Sequence, residues 1–289
     1  MAFSSRRVPG RILLGCLLLL CAALCAALLW LRPWERPLAQ ESDFALHMID
    51  VGQGDALLLT CGGRSMLVDA GPEDHADDLC AYLRGQGVKR LDYALLTHFH
   101  ADHYGGLPAV FDQIDADVFV LPDGPDDEAV LSFAGELLSK SDCALDLTGA
   151  GRVYELGGAT VTVLSPAADF DPLEENQRSV ILLAQYGGRS FLLTGDAPVE
   201  TLEGLDLPVC DLLKAAHHGS DDGASDLLLS RISPAYGFIS CGAGNEYGHP
   251  HESVLRRLTE AGAEVWRTDR QGTVVAAVTG GTVRIISEE

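Results

Sequence analysis

Basic residues are scarce in this chain: 20 Lys and Arg stand against 42 Asp and Glu, a formal net charge of −22 over 289 residues. The imbalance deepens along the chain. Five basic residues and one acid lie at or before Arg36, leaving 15 against 41, or −26, for the rest. Such a surface repels extended polyanions and lacks the basic stripe of a tight duplex binder, so action on nucleic acid has to be local and cation-assisted. Thiol chemistry is also thin. There is no C-x-x-C pair, and Cys61, Cys80, Cys143, Cys210 and Cys241 are scattered and odd in number. This gives no disulfide framework and no thiolate zinc site; buried single thiols are expected. No G-x-S-x-G elbow occurs, which removes the usual serine-nucleophile reading. Short-period repeats and low-complexity tracts are absent as well.

One long apolar run is present. "ILLGCLLLLCAALCAALLWL", residues 12–31, carries no charge, and at about 1.5 Å per residue it spans the roughly 30 Å hydrocarbon layer. Arg6, Arg7 and Arg11 precede it, while Arg32, Trp34 and Arg36 follow. The slight positive-inside bias favours a cytoplasmic N-terminus and an outward-facing remainder. No A-x-A site follows, and Cys16 in "LLGC" comes too early for a lipoprotein signal. A single-pass anchor in the cell membrane is expected, with a secreted protein the outcome if the segment is cleaved. The organisation is then residues 1–36 as anchor or signal segment, 37–42 as linker and 43–289 as one domain.

The domain begins with "FALHMIDV" and "DALLLTCGGRSMLVDAG", apolar strand runs with a G-G hairpin turn. A helix follows at "DHADDLCAYLRGQGV". "LDYALLT" reads as a buried strand ending at a histidine cluster, and a helix starts beyond it at "YGGLPAVFDQI". The second half has a similar order. Strands "ATVTVLSP", "SVILLAQYGG" and "RSFLLTGD" precede a helix at "PVETLEGL". "CDLLKAA" then ends at "HHGS", and further helices and strands close the chain. Two similar halves of this kind suggest stacked sheets flanked by helices.

The densest chemistry lies in "LLTHFHADHYGG", residues 95–106. His98 and His100 are two apart on a segment leaving a strand, so both rings can point to one side. Asp102 and His103 follow on a turn that can direct them to a second point. Imidazole and carboxylate are ligands that zinc, manganese or iron accept, and the spacing suggests two metals sharing one loop.

The H-x-H-x-D-H pattern resembles the signature of the metallo-β-lactamase superfamily. More narrowly, "HMIDVGQGDALLL", "LVDAG", "THFHADHYGGL", "FLLTGD", "LLKAAHHGS" and "NEYGHP", in that order, look like the metallo-β-lactamase-like domain of ComEC-type competence DNA-uptake proteins. The resemblance implies an α+β fold, an αββα four-layer sandwich, here preceded by one N-terminal transmembrane helix. It also implies a hydrolase that uses a water activated by two divalent ions, Zn or Mn. Those uptake proteins carry a large multi-helix channel. This chain offers one apolar span, so it reads as a stand-alone relative, with a separate channel protein a candidate partner.

By the same resemblance, His98 and His100 hold the first metal, Asp102 and His103 turn toward the second, and Asp196 in "TGD" bridges them. The alternative for Asp196 is a helix N-cap. His217 in "AAHHGS" fits the last ligand, with His218 able to take its place. Many superfamily members add a histidine between the first cluster and the bridging aspartate, but residues 104–195 contain none. Asn176 stands where the uptake proteins carry an asparagine-rich turn, and an oxygen-richer site of this kind suits manganese.

Asp50, Gln53, Asp55 and Asp69 read as groups that orient ligand histidines from behind. Lys214, His218, Ser220, Asn245, His249 and His251 are the phosphate-facing candidates, with packing or an ion pair an equal reading for Lys214, which faces partly into a strand. The expected catalytic groups are Asp102, His218 and His249, with His249 first for substrate binding or leaving-group protonation. The function expected is a phosphodiesterase or nuclease acting on single-stranded DNA or a small phosphodiester. The alternatives are a small-molecule ester or lactone hydrolase, since fold does not fix substrate, and a non-catalytic DNA-binding module at the envelope.

Overall fold

The structure, a computed structural model, describes residues 42–123, 128–167 and 174–287. The apolar segment at 12–31, its flanking arginines and the linker through residue 41 lie outside the described residues. Among the described residues, no helix is long and apolar enough to cross a membrane.

Two sheets repeat one plan. In the first, β1 (Phe44–Met48), β2 (Leu57–Cys61) and β3 (Arg64–Val68) are antiparallel neighbours. β4 (Arg90–Leu95), β5 (Asp115–Pro122) and β6 (Ala144–Thr148) extend it in parallel. In the second, β7 (Val153–Leu156), β8 (Ala159–Ser165), β9 (Ile181–Tyr186) and β10 (Arg189–Leu193) pair antiparallel. β11 (Leu212–Lys214), β12 (Tyr236–Ile239) and β13 (Glu264–Arg267) then continue in parallel. The hairpin β14 (Val274–Thr279) and β15 (Thr282–Ser287) returns to pair with β1, giving sheets of eight and seven strands.

The strands are apolar on both faces because both faces are covered. Phe44, Leu46, Met48, Leu57 and Leu59 point between the sheets and meet Phe191, Leu193 and Phe238. Residues of opposite parity face helices: Leu58 and Leu67 pack with Leu79 and Leu83 of α1 (Ala76–Gly85). Beyond the short α2 (Ala101–Tyr104), helices α3 (Leu107–Gln113) and α4 (Glu128–Ser139) join that layer. α5 (Val199–Gly204), α6 (Asp226–Ile232) and α7 (Glu252–Glu260) cover the second sheet through Leu202, Leu228 and Leu258. The result is a four-layer αββα sandwich. Each large aliphatic or aromatic side chain buried in these layers contributes about 1.5–3 kcal/mol.

The G-G turn joins β2 to β3 as the sequence suggests. Three strands carry no clear sequence signal. β5 opens on acids, β6 is an edge strand exposed along most of its length, and β7 is an edge strand with alternate residues exposed. The helix expected beyond the histidine cluster is α3, and a separate short helical turn, α2, starts inside the cluster at Ala101 and carries Asp102 and His103. The carboxyl ends of β3, β4, β10, β11 and β12 all lead into one place, carrying Asp69, His98–His103, Asp196, His217–His218 and Ser240. Crevices at strand carboxyl ends are where open α/β sheets place ligands.

Candidate metal centre

The loops that meet there are held in conformations that side chains rarely adopt unaided. Asp69 has φ 58°, and its carboxylate accepts from Thr97 N (2.8 Å), Thr97 Oγ1 (2.7 Å) and His103 Nδ1 (2.8 Å). His217 and His218 have φ 49° and 54°, each costing roughly 1–2 kcal/mol for an L-residue. Bonds from His217 N to the Gly195 carbonyl (3.1 Å) and from Ser220 N to the His217 carbonyl (2.8 Å) fix this turn. Gly54 is glycine because a Cβ there would stand 2.2 Å from the Asp102 carbonyl oxygen, the atom that accepts from Asp55 N at 3.2 Å. Backbone strain of this kind persists only where the surroundings over-determine it, most often at working sites.

Ring nitrogens converge on one carboxylate oxygen. Asp196 Oδ2 lies 3.3 Å from His103 Nε2, 3.5 Å from His218 Nε2, 3.8 Å from His98 Nε2 and 3.9 Å from His217 Nε2. Asp102 Oδ2 is 3.2 Å from His218 Nε2, and His100 Nδ1 is 3.1 Å from His98 Nε2. Asp196 is free for this role because the next helix begins only at Val199, with Pro198 in the capping position.

The far nitrogens are already spoken for. The Thr97 hydroxyl donates its one proton to Asp69, so at 3.0 Å it accepts from His98 Nδ1–H and leaves Nε2 bare. His103 Nδ1 is held by Asp69, and His218 Nδ1 by the Ser240 carbonyl (3.1 Å) and Asp55 Oδ1 (3.4 Å). A ligand imidazole is normally fixed in this way by a partner on its other nitrogen. Lys214, buried, pairs with Asp55 and donates to the Gly195 carbonyl at 3.2 Å, tying the brace of His218 to the turn that carries Asp196.

These residues fit a metal. His103 Nε2, His218 Nε2 and Asp196 Oδ1 are buried without a hydrogen bond, and buried polar atoms rarely stay unsatisfied. His98, His103 and Asp196 form one donor group within 4.8 Å, and Asp102, His103 and His218 form another. Burial disfavours the His103 cation, yet Asp196 and Asp69 override it and raise its pKa to about 10. Burial likewise opposes the His218 cation, and Asp196 and Asp55 push its pKa well up. A cage that drives protons onto ring nitrogens is one that divalent cations enter by displacing them.

The remaining candidates fall on several sides of this cluster. His217 is at its rim, with a side chain 37% exposed, whereas His218 is buried. His249 sits above both, its ring 5.6 Å from His217 and 6.2 Å from His218. Burial and the two neighbouring imidazoles push its pKa down to about 4, so the neutral ring prevails at neutral pH. Asn176 lies on the turn Glu175–Arg178 with its Oδ1 buried and unbonded. Lys214 lies behind the cluster and does not face solvent.

Other candidates are engaged within loops. Exposed Asp50 accepts from Gly52 N (3.1 Å), and Gln53 Oε1 accepts from Gly242 N (3.1 Å). Ser220 donates to Asp222, and the Asn245 amide is committed to the backbone of Gly242 and His249. The His251 side chain borders His249 at 5.5 Å while its backbone N bonds Gly219. Sequence reasoning missed Thr97, Ser240, Ser179, whose Oγ accepts from Asp196 N (3.1 Å), and Glu175, which accepts from Phe99 N (2.8 Å) inside the histidine loop. Thr97 was the most findable of these, adjoining His98. The others reach the site only through strand pairing and turns.

Comparison with known proteins agrees with this geometry. Residues 49–126 match the family model described as the metallo-beta-lactamase superfamily. ComE operon protein 3 of Bacillus subtilis is 30% identical over 81% of this chain and 33% of its own length. Competence protein ComA of Neisseria gonorrhoeae is 30% identical over 92% and 39%. The chain thus spans between a third and two fifths of these curated relatives. Among solved structures, the metallo-beta-lactamase fold protein YhfI from Bacillus subtilis superposes with a TM-score of 0.54 at 17% identity, covering 78% of this chain and 96% of YhfI. The chain belongs to the metallo-β-lactamase superfamily, with competence proteins as relatives over most of its length.

Proposed function

We propose that the protein is a membrane-anchored, extracytoplasmic phosphodiesterase that cuts single-stranded DNA or a small phosphodiester with the help of two divalent ions, zinc or manganese. The observation that carries this reading is the convergence of His98, His103 and His218 on the Asp196 carboxylate, with Asp102 beside His218. His98, His100 and Asp196 would hold one ion; Asp102, His103, His218 and Asp196 would hold the other. Such a pair supplies Lewis-acid polarisation of a phosphoryl oxygen and a water deprotonated near neutral pH.

The chain's own groups do the remaining work. Asp69 and Asp55 keep the donor nitrogens of His103 and His218 aimed inward. Lys214 balances part of the buried negative charge. His249, neutral and at the rim, orients the substrate; with a pKa of about 4 it is poorly protonated for donation to a leaving group at neutral pH. The charge of −26 beyond Arg36 sets the substrate form. It disfavours long polyanions, duplex DNA with a phosphate charge every ~1.7 Å of axis most strongly, and leaves a short single strand or a small phosphodiester the better fit. The same field suits an uncharged ester or lactone, which is the second reading.

The test is cleavage of end-labelled single-stranded DNA by the full chain, stripped of metal and reloaded with manganese or zinc, beside an Asp102→Ala/His103→Ala control. Metal-restored cleavage that the control lacks supports the proposal. Turnover of lactones with intact DNA transfers the function to small-ester hydrolysis. DNA retention with no turnover in either metal leaves the binding-module reading.

A further inference from the structure

We propose that Tyr247 is a stacking platform for a nucleobase, so that the favoured substrate carries a nucleoside next to the scissile phosphate; this rests on the phosphodiesterase reading above. The side chain is 67% exposed, an unusual position for a large ring that stabilises a core. It lies nearly parallel to His249, with centroids 5.7 Å apart and planes at 24°. His249 in turn neighbours His217 and His218. A path of rings therefore leads from solvent to the metal cluster.

The platform is rigid although it sits on a loop. Asn245 donates to the carbonyls of Gly242 (2.9 Å) and His249 (2.6 Å) and accepts from His249 N (3.0 Å), clamping the chain on both sides of Tyr247. Gln53 holds the base of the loop through Gly242 N. With its backbone held in this way and one face against His249, the ring has less freedom to lose when a base stacks on it.

The neighbouring cleft selects what stacks there. Tyr247, Tyr104 and Asp102 line a hollow of about 790 Å³ that is also walled by Glu73, Asp77 and Asp112. This is within the usual range for ligand pockets, ~300–1,000 Å³. The acidic wall repels a second phosphate but accepts hydrogen bonds from ring N–H and amino groups. A phosphodiester placed at the cluster would thus send a planar, neutral base into the cleft, and its next phosphate elsewhere.

The experiment titrates the metal-loaded full chain with dAMP and, separately, with 2-deoxyribose 5-phosphate, using the unaltered protein, Tyr247→Ala and Tyr247→Trp. Base stacking on an aromatic is worth roughly a five- to hundredfold change in affinity. Tyr247→Ala is expected to weaken dAMP by that factor without weakening the sugar phosphate comparably, and Tyr247→Trp to restore it. In cleavage of an oligonucleotide, the loss should appear in KM. Equal dAMP affinity in the unaltered and Tyr247→Ala proteins overturns the platform, even if phosphodiester cleavage is robust. Tyr247-dependent dAMP binding with no hydrolysis of any phosphodiester keeps the platform and sinks the phosphodiesterase reading.

Discussion

His47 on β1 and His103 on α2 are both fully buried, yet their surroundings drive them in opposite directions. Burial pushes His47 down to about 3, with the neutral Tyr82 hydroxyl 2.7 Å from its Nδ1. His103 is just as buried but lies between Asp69 and Asp196, and it rises to about 10. Burial alone therefore does not make a site; the carboxylates do. His47 belongs to the packed face between sheet and helix, whereas His103 belongs to a region whose negative charge is arranged to receive cations.

The widest separation between these regions comes from removing the charge they do not share. Asp196→Asn should weaken binding of both ions by more than the roughly 10–100-fold typical of outer partners, and abolish metal-dependent hydrolysis. Calorimetric titration with manganese measures it, and two sites of unaltered affinity would show that Asp196 is not the common anchor. Lys214→Met tests the brace behind His218. It breaks the buried pair and leaves Asp55 with only the His218 ring for a cation, which should cost up to about 3–5 kcal/mol of stability in denaturant unfolding of the metal-free chain. The double change Asp55→Leu/Lys214→Met should recover most of that stability while metal affinity stays roughly 10–100-fold down, because His218 has lost its carboxylate. Recovery of affinity together with stability would reduce Asp55 and Lys214 to packing.

The two histidines also predict opposite pH dependences. A lowered His47 pKa means that the folded chain resists the proton the unfolded chain accepts. Its contribution is present above the ordinary value of 6.5 and lost as pH falls from there toward about 3. The slope is about 1.4 kcal/mol per pH unit. A raised His103 pKa acts in reverse in the metal-free protein: its stabilisation is complete below 6.5 and disappears as pH rises through about 10. His47→Leu should therefore remove a destabilisation between pH 6.5 and 4.5, seen as a flatter acid limb of unfolding free energy than the unaltered chain gives. Parallel limbs would mean that His47 is not held neutral. Metal affinity should rise with pH over the same interval, since the ions compete with protons at His103 and His218.

Much of this site was legible because it is local in sequence. His98, His100, Asp102 and His103 fall within the short loop after β4 and the helical turn that follows it, and Asp196 sits in the tight turn just beyond the apolar strand β10. The doubly covered strands β1 to β4 were equally readable from their apolar runs. What escaped has non-local causes. β6 and β7 lack the continuous runs because they form sheet edges, and in β5, which lies inside its sheet, two leading acids mask the run; Ser240 and Glu175 come to the histidines only when distant strands align. Lys214 left two readings open in the sequence, facing phosphate or forming an internal ion pair, and the second is the one found. Its position on β11, buried against Asp55, follows from the pairing of that strand between β10 and β12.

The smallest predicted effect concerns adjacent histidines, of which the resemblance favours His217 as the ligand and the geometry His218. His218 Nε2 is buried beside Asp102 and Asp196, with Nδ1 held from behind by Ser240 and Asp55. His217 reaches Asp196 only at 3.9 Å, from the solvent rim. A bound ion gains most from a ligand already aimed at it, because ordering the side chain then costs little. His218→Ala should therefore weaken at least one ion by about tenfold or more, whereas His217→Ala should change affinity by no more than about threefold, the scale of an exposed substitution. Manganese titration of both variants at one pH reads the difference. A larger loss from His217→Ala would mean that the rim histidine rotates inward on metal binding, and that the buried pair His103 and His218 is preformed for protons more than for metal.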